Sequence, residues 1–143
     1  PLADVDSQAA AVAGLDALTR LDPGRADHWA GLRDDLRARL AALPLDTLAV
    51  EPDGSPVLGA GSQLGWLLWA DAAADPQAAA ERLTRPDVLT SYGVRTLSVD
   101  APGFLVHGYH RGAVWPFDCW LAWGGLLRVG RAQEAERIRE EAR

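Results

Sequence analysis

Apolar positions along the chain fall mostly at steps of three and four, the spacing that puts them on one side of an α-helix. From Asp6 onward Ala11, Val12, Leu15 and Leu18 recur this way, with Asp6 or Ser7 as the N-cap. Asp22-Pro23 then reads as a capping aspartate followed by proline at the first helical position, where a missing N–H costs nothing. The stripe Trp29, Leu32, Leu36, Leu40, Leu43 behind it predicts an amphipathic helix ended by Pro44, with Trp29 in the core. Between Thr47 and Leu58 the period changes to two, around the turn-forming Glu51-Pro52-Asp53-Gly54, so a short β-hairpin is predicted there. Ser62 is placed to cap a helix carrying Leu64, Trp66, Leu67, Leu68 and Trp69, apolar on nearly every side and therefore buried. Asp75-Pro76 repeats the aspartate-proline cap and opens a short helix to about Leu83.

Ser91 to Pro116 breaks the helical pattern. Val94 to Ser98 is predicted as a short strand, and the remainder as loop, rich in Gly, His, Tyr and Arg. A loop of this length inside a compact domain is commonly functional. Trp115-Pro116 opens a further apolar helix to about Val129 with Gly130 as its C-terminal cap, and Arg131 to Arg143 follows as a polar helix whose apolar stripe is Ala132, Ala135 and Ile138. The fold predicted is all-α, antiparallel helix pairs with one short β-hairpin, over residues 1–143 as a single segment.

Composition narrows the function. The chain has 143 residues and a formal net charge of −6, and all 14 of its basic residues are arginine. That balance argues against nucleic acid or an anionic membrane as partner, since both need a basic face. No apolar run approaches the roughly 20 residues that span a bilayer. The chain starts at Pro1 rather than Met and runs out in a helix without a stop signal, so a piece of a longer protein is expected. Cys119 is the sole cysteine, and no cofactor is implied.

Candidate chemistry concentrates in Gly108 to Asp118, which combines flat aromatic faces, an imidazole, a guanidinium, two glycines and a carboxylate in the first turn of a helix. Tyr and Trp faces suit the C–H faces of sugar rings, and Arg, His and Asp can bond vicinal hydroxyls. The competing reading makes Trp115 and Phe117 core residues and Asp118 a complement to the helix dipole. His107 and His110 with Asp118 could instead suggest a metal, although a hydroxyl-binding histidine is favoured. Cys119, beside this segment, reads as a buried thiol rather than a nucleophile.

The order of residues adds a resemblance. Tyr109-His110-Arg111-Gly112-Ala113-Val114-Trp115-Pro116-Phe117-Asp118 resembles the Tyr-His-x-Gly-Ser-Val-Trp-Pro-His-Asp-Asn signature of the amylo-α-1,6-glucosidase family, the C-terminal domain of glycogen-debranching glycoside hydrolases. Leu83 to Asp87, Ser91 to Ser98, Gly65-Trp66-Leu67-Leu68-Trp69 and Asp4 to Gln8 resemble further family segments in the same order. Phe117 and Cys119 depart from the signature, standing where His and Asn are common.

The resemblance implies part of an (α/α)6 toroid and a cytoplasmic carbohydrate enzyme acting on α-glucosidic linkages, with an oligosaccharide or glucoside as substrate. It implies Tyr92, Arg95, Tyr109, His110, Arg111, Gly112, Trp115 and Asp118 as substrate-binding residues, gathered at the helix end opened by Trp115-Pro116. Such hydrolases are similar to inverting glycosidases, which use a carboxylic acid and a carboxylate about 6.5–9.5 Å apart. The family's acid lies upstream of Pro1 and its base, in a Leu-Pro-Glu segment, beyond Arg143, so the chain alone is expected to be inactive. The alternative is a non-catalytic helical remnant or interaction module. A partial toroid is also expected to expose apolar helix faces and to self-associate through them.

Overall fold

The computed structural model describes residues 3–141. Six helices alternate with short strands: β1 (Ala3–Asp4), α1 (Val5–Leu21), α2 (Ala26–Ala41), β2 (Thr47–Val50), β3 (Pro56–Leu58), α3 (Gln63–Trp69), α4 (Pro76–Leu83), β4 (Leu89–Thr90), β5 (Gly93–Val94), α5 (Pro116–Arg128) and α6 (Ala132–Glu141). They pack as three hairpins, α1 with α2, α3 with α4 and α5 with α6, and α3 lies between α1 and α5.

Two apolar clusters hold the hairpins together. Leu64 and Leu68 of α3 pack with Leu83 of α4, Leu126 of α5 and Ile138 of α6, all 1% exposed or less. Val5, Ala9 and Val12 of α1 pack with Leu40 of α2 and Leu67 of α3. Small residues set the closeness of α3 and α5: a Cβ on Gly65 would stand 2.9 Å from the Ala122 Cα, and one on Gly125 only 2.7 Å from the Leu68 Cβ.

The aspartate-proline signal gives a cap at one of its two occurrences. Asp75 caps α4, its Oδ1 accepting from the Gln77 and Ala78 backbone N–H groups at 3.0 and 2.9 Å. Asp22 makes no such bond; Pro23–Arg25 forms a 3-10 turn and α2 starts only at Ala26. The Asp22 carboxylate accepts instead from Arg25 Nε and the Trp29 indole, while the Arg25 guanidinium covers the Trp29 ring at 4.2 Å. Trp29 is therefore half-buried rather than core, and of the predicted α2 stripe only Leu40 is fully buried. The reason is position: α2 packs mainly on α1 and leaves its other side open.

The start of α1 also differs from the prediction. Asp4, not Asp6 or Ser7, is the N-cap: it is extended and its Oδ1 accepts from Ser7 N at 2.7 Å. The predicted hairpin is present as β2 and β3, with β1 as a third strand along β2 in the register Ala3–Val50 and Asp4–Ala49. Ser62 is helical and buried and caps nothing. Of the predicted Val94 to Ser98 strand only Val94 is paired in a strand, with Leu89; Arg95 forms an isolated bridge to Val114.

The long segment before α5 is anchored at both ends. Asp87, 9% exposed, accepts from Ser98 Oγ at 2.5 Å and pairs with Arg82 at 2.9 Å, and Arg82 reaches Asp46 as well. Burial pushes the Asp87 carboxyl up, but the bonds from Ser98 and Arg82 outweigh it and hold it below the usual carboxylate range. Ser98 N donates to Ala60 O and Thr96 N to Ala113 O, which fixes the strand of chain leading into Trp115.

Candidate active-site cavity

Capping by Asp4 starts α1 early and carries Asp6 into its first turn. Pro116 at the first helical position of α5 similarly leaves Trp115 extended and Asp118 in the first turn of that helix. With Gln63 opening α3, residues from the N-terminal ends of three helices meet at one place. A cavity of about 780 Å3 lies there, whose lining includes Asp4, Asp6, Trp66, Tyr109, His110, Trp115, Phe117 and Asp118.

Three rings form one side. The Tyr109 ring stands edge-on to His110 at 4.4 Å and to Trp115 at 4.5 Å, and His110 lies 6.4 Å from Trp115 at 30°. The Trp115 indole N–H donates to Tyr109 O at 3.2 Å, which ties the loop to the start of α5. Across the cavity, the Trp66 indole N–H donates to Asp118 Oδ1 at 3.0 Å, and the Trp66 ring meets Phe117 at 5.5 Å.

The eight residues singled out in the sequence thus divide. Tyr109, His110, Trp115 and Asp118 line the cavity. Tyr92, Arg95, Arg111 and Gly112 do not. Tyr92 sits at the β4–β5 turn, 76% exposed. Arg95 donates to Gly112 O at 3.0 Å and lies over the Phe104 ring; Arg111 donates to Gly103 O at 2.7 Å. Gly112 has φ of 134°, and a Cβ there would stand 2.3 Å from the Phe104 ring, so glycine is required for the bend that delivers Tyr109 and His110 to the cavity.

Asp6 and Trp66 line the cavity although the sequence does not mark them as site residues. Asp6 reads as a helix cap, and Trp66 as one apolar residue among several in its helix. Their position depends on where α1 starts and which side of α3 meets α5, and neither is a local property. Burial, then the charges of Asp118 and Asp4, raise the Asp6 carboxyl to about 7, and its Oδ1 is buried without a hydrogen-bond partner.

Cys119 is buried, its sulfur accepting from Val94 N at 3.3 Å, and burial pushes its thiol up, the opposite of an activated nucleophile. Among the described residues no group of three His, Cys, Asp or Glu side chains is arranged to hold a metal ion, and no helix is long and apolar enough to cross a membrane.

Similarity to known proteins supplies the frame in which this cavity sits. The profile of the mannosylglycerate hydrolase MGH1-like glycoside hydrolase domain matches residues 7–143. The chain belongs to that family. Its fold is similar to the crystal structure of the GH63 mannosylglycerate hydrolase from Thermus thermophilus in complex with Tris, with a TM-score of 0.77 and 22% identity over 98% of this chain. The chain spans only 36% of that protein. No curated protein sequence matches it. The three hairpins are accordingly part of an (α/α)6 toroid, and the family is a glycoside hydrolase one. The resemblance to glycoside hydrolases of the toroid type holds at that level, and the family matched within it is the MGH1-like one.

Proposed function

We propose that the chain is the portion of an α-glycoside hydrolase that supplies one wall of the sugar-binding site, and that the cavity at the starts of α1, α3 and α5 is that wall. The observation that carries this is the convergence of Tyr109, His110, Trp115 and Asp118 with Trp66 in a single cavity of a glycoside hydrolase family chain. Trp115 and Tyr109 offer faces for a ring's C–H groups, and Asp118, already fixed by the Trp66 indole, holds a hydroxyl. Arg95, Arg111 and Gly112 act behind this wall by holding the loop in place.

The family name favours a mannosyl unit with a small acidic aglycone, as in mannosylglycerate. The Tyr109 to Asp118 signature instead suggests an α-1,6-linked glucosyl unit, as in debranching. The catalytic acid and base are assigned outside this chain, following the resemblance, and a cytoplasmic location follows from it too. On this reading the chain binds sugar without cleaving it, and the exposed edge of α5 (Phe117, Trp120 and Leu127) is a surface for self-association.

Titration of the chain with methyl α-D-mannoside and with isomaltose, followed by tryptophan fluorescence, tests the reading. Saturable binding is expected, weakened about tenfold or more by Tyr109→Ala or Trp115→Ala, in line with one lost aromatic–sugar contact of roughly 1.5 kcal/mol. Tighter binding of the mannoside supports the mannosyl substrate, and tighter binding of isomaltose the debranching one. Absence of binding to a folded chain contradicts the sugar wall and leaves the non-catalytic interaction module as the better account.

A further inference from the structure

Three carboxyls border the cavity, and their hydrogen-bonding capacity is unequally spent. Asp4 uses Oδ1 on Ser7 N, and Asp118 uses Oδ1 on the Trp66 indole. Asp6 Oδ1 is buried and bonded to nothing. Among the described residues that line the cavity there is no arginine to pair with it. From β1 comes Asp4 and from α5 Asp118, both acidic; α3 contributes Gln63 and Trp66, and β2 contributes Leu48 and Ala49, all uncharged. The loop adds Tyr109 and the imidazole of His110. Arg95 and Arg111 do not line the cavity; one terminal nitrogen of Arg95 donates to Gly112 O and Arg111 Nε to Gly103 O. Burial, with the charges of Asp118 and Asp4 beside it, disfavours the ionised form of the Asp6 carboxyl.

We propose that Asp6 is a specificity-determining residue of this site: with Asp118 it brackets one hydroxyl of an uncharged glycosyl unit, Asp6 donating from its protonated oxygen and Asp118 accepting. The inference rests on the sugar-site reading above and adds to it a residue, a protonation state and a substrate class. A sugar hydroxyl both donates and accepts, so the arrangement Asp6 O–H to hydroxyl oxygen, hydroxyl O–H to Asp118 carboxylate, satisfies all three groups. With both carboxyls ionised, one hydroxyl can donate to only one of them and the other is left charged and unpaired. A glycosyl unit carrying its own carboxylate would be brought up against the acidic side chains of Asp4, Asp6 and Asp118. The acidic portion of a substrate such as mannosylglycerate therefore lies outside this cavity, and the neutral ring lies within it.

The test is calorimetric titration of the 143-residue chain with methyl α-D-mannoside, methyl α-D-glucoside and D-glucuronate at pH 5.5 and 8.5, in buffers free of Tris. The better of the two neutral glycosides is expected to bind about tenfold more tightly at pH 5.5 than at 8.5, the loss of one hydrogen bond from Asp6, and D-glucuronate about tenfold more weakly than that glycoside at pH 5.5, through repulsion between carboxylates. Asp6→Asn keeps a donor at the same place and carries no charge, so its affinity should be equal at the two pH values. His110→Gln should retain the wild-type ratio, which separates the imidazole from the carboxyl. In 13C NMR the Asp6 carboxyl should titrate near 7 in the free chain and higher with glycoside bound. Binding with no dependence on pH, an Asp6→Asn chain that keeps the wild-type ratio, or a ratio abolished by His110→Gln overturns the role of Asp6 alone. No binding of either neutral glycoside at either pH overturns the sugar-site reading, and this inference with it.

Discussion

Burial and the charges on Asp118 and Asp4 act in one direction on Asp6, and the consequence reaches beyond ligand binding. The unfolded chain releases this proton near the ordinary aspartate value of 3.8, and the folded chain only at about 7. Between those values the folded state holds more protons, so its stability falls as pH rises through the window and levels off above it. The ceiling on this loss is about 4 kcal/mol. Asp6→Asn removes the penalty, and urea unfolding at pH 5 and pH 8 should show the variant more stable than the wild type at pH 8 and the gap shrinking at pH 5. A wild-type chain equally stable relative to the variant at both pH values would contradict the raised carboxyl. Asp87 behaves oppositely. Its depressed carboxyl contributes stability that is present above the unfolded value and lost as pH falls through the folded one. Asp87→Ala leaves Ser98 without its acceptor and Arg82 with Asp46 alone, at an expected cost of about 2–4 kcal/mol in the same unfolding assay.

At the level of elements, the crossing of α3 on α5 decides where the site is. The run Gly65-Trp66-Leu67-Leu68-Trp69 puts a glycine against Ala122, and only with the backbones this close does Trp66 reach Asp118. Gly65→Ala is expected to destabilise the chain by about 1–3 kcal/mol, because the added Cβ meets backbone that cannot yield, outweighing the roughly 1 kcal/mol that alanine gains in a helix. Denaturant unfolding measures it, and a stabilised variant would contradict the tight crossing. The elements most legible in the sequence are those specified locally. Asp75-Pro76 is visible as a cap, Pro116 as a helix start, and Glu51 to Gly54 as a turn between strands. What the sequence does not show is decided by partners distant along the chain. Asp22-Pro23 looks the same as Asp75-Pro76, yet Trp29 and Arg25 draw Asp22 away from capping. Asp4 caps α1 where β1 pairs with β2, beyond two intervening helices, and that pairing places Asp6 in the cavity. The loop half of the site can be read in order from Tyr109 to Asp118, whereas Asp6 and Trp66 require the tertiary arrangement.

As a whole, the molecule presents three hairpins of a ring, matching 36% of the mannosylglycerate hydrolase structure. One long edge of α5 carries Phe117 at 58%, Trp120 at 54% and Leu127 at 45% exposed, with Phe117 and Trp120 stacked 6.2 Å apart. Apolar area of this kind on a helix edge favours association. Sedimentation velocity of the chain should show concentration-dependent dimers, reduced by Trp120→Arg; a monomer at all concentrations would contradict the association surface. The same chain should release no sugar from mannosylglycerate or isomaltose, since the reading assigns acid and base to other parts of the ring.

The claim at the centre is that the cavity between the starts of α1, α3 and α5 receives a glycosyl ring. A crystal of the chain soaked with methyl α-D-mannoside below pH 6 tests it most directly. The account predicts a pyranose ring against the Trp115 and Tyr109 faces, with one hydroxyl between Asp6 and Asp118. A ring bound elsewhere, with this cavity holding only water at saturating sugar, would contradict it.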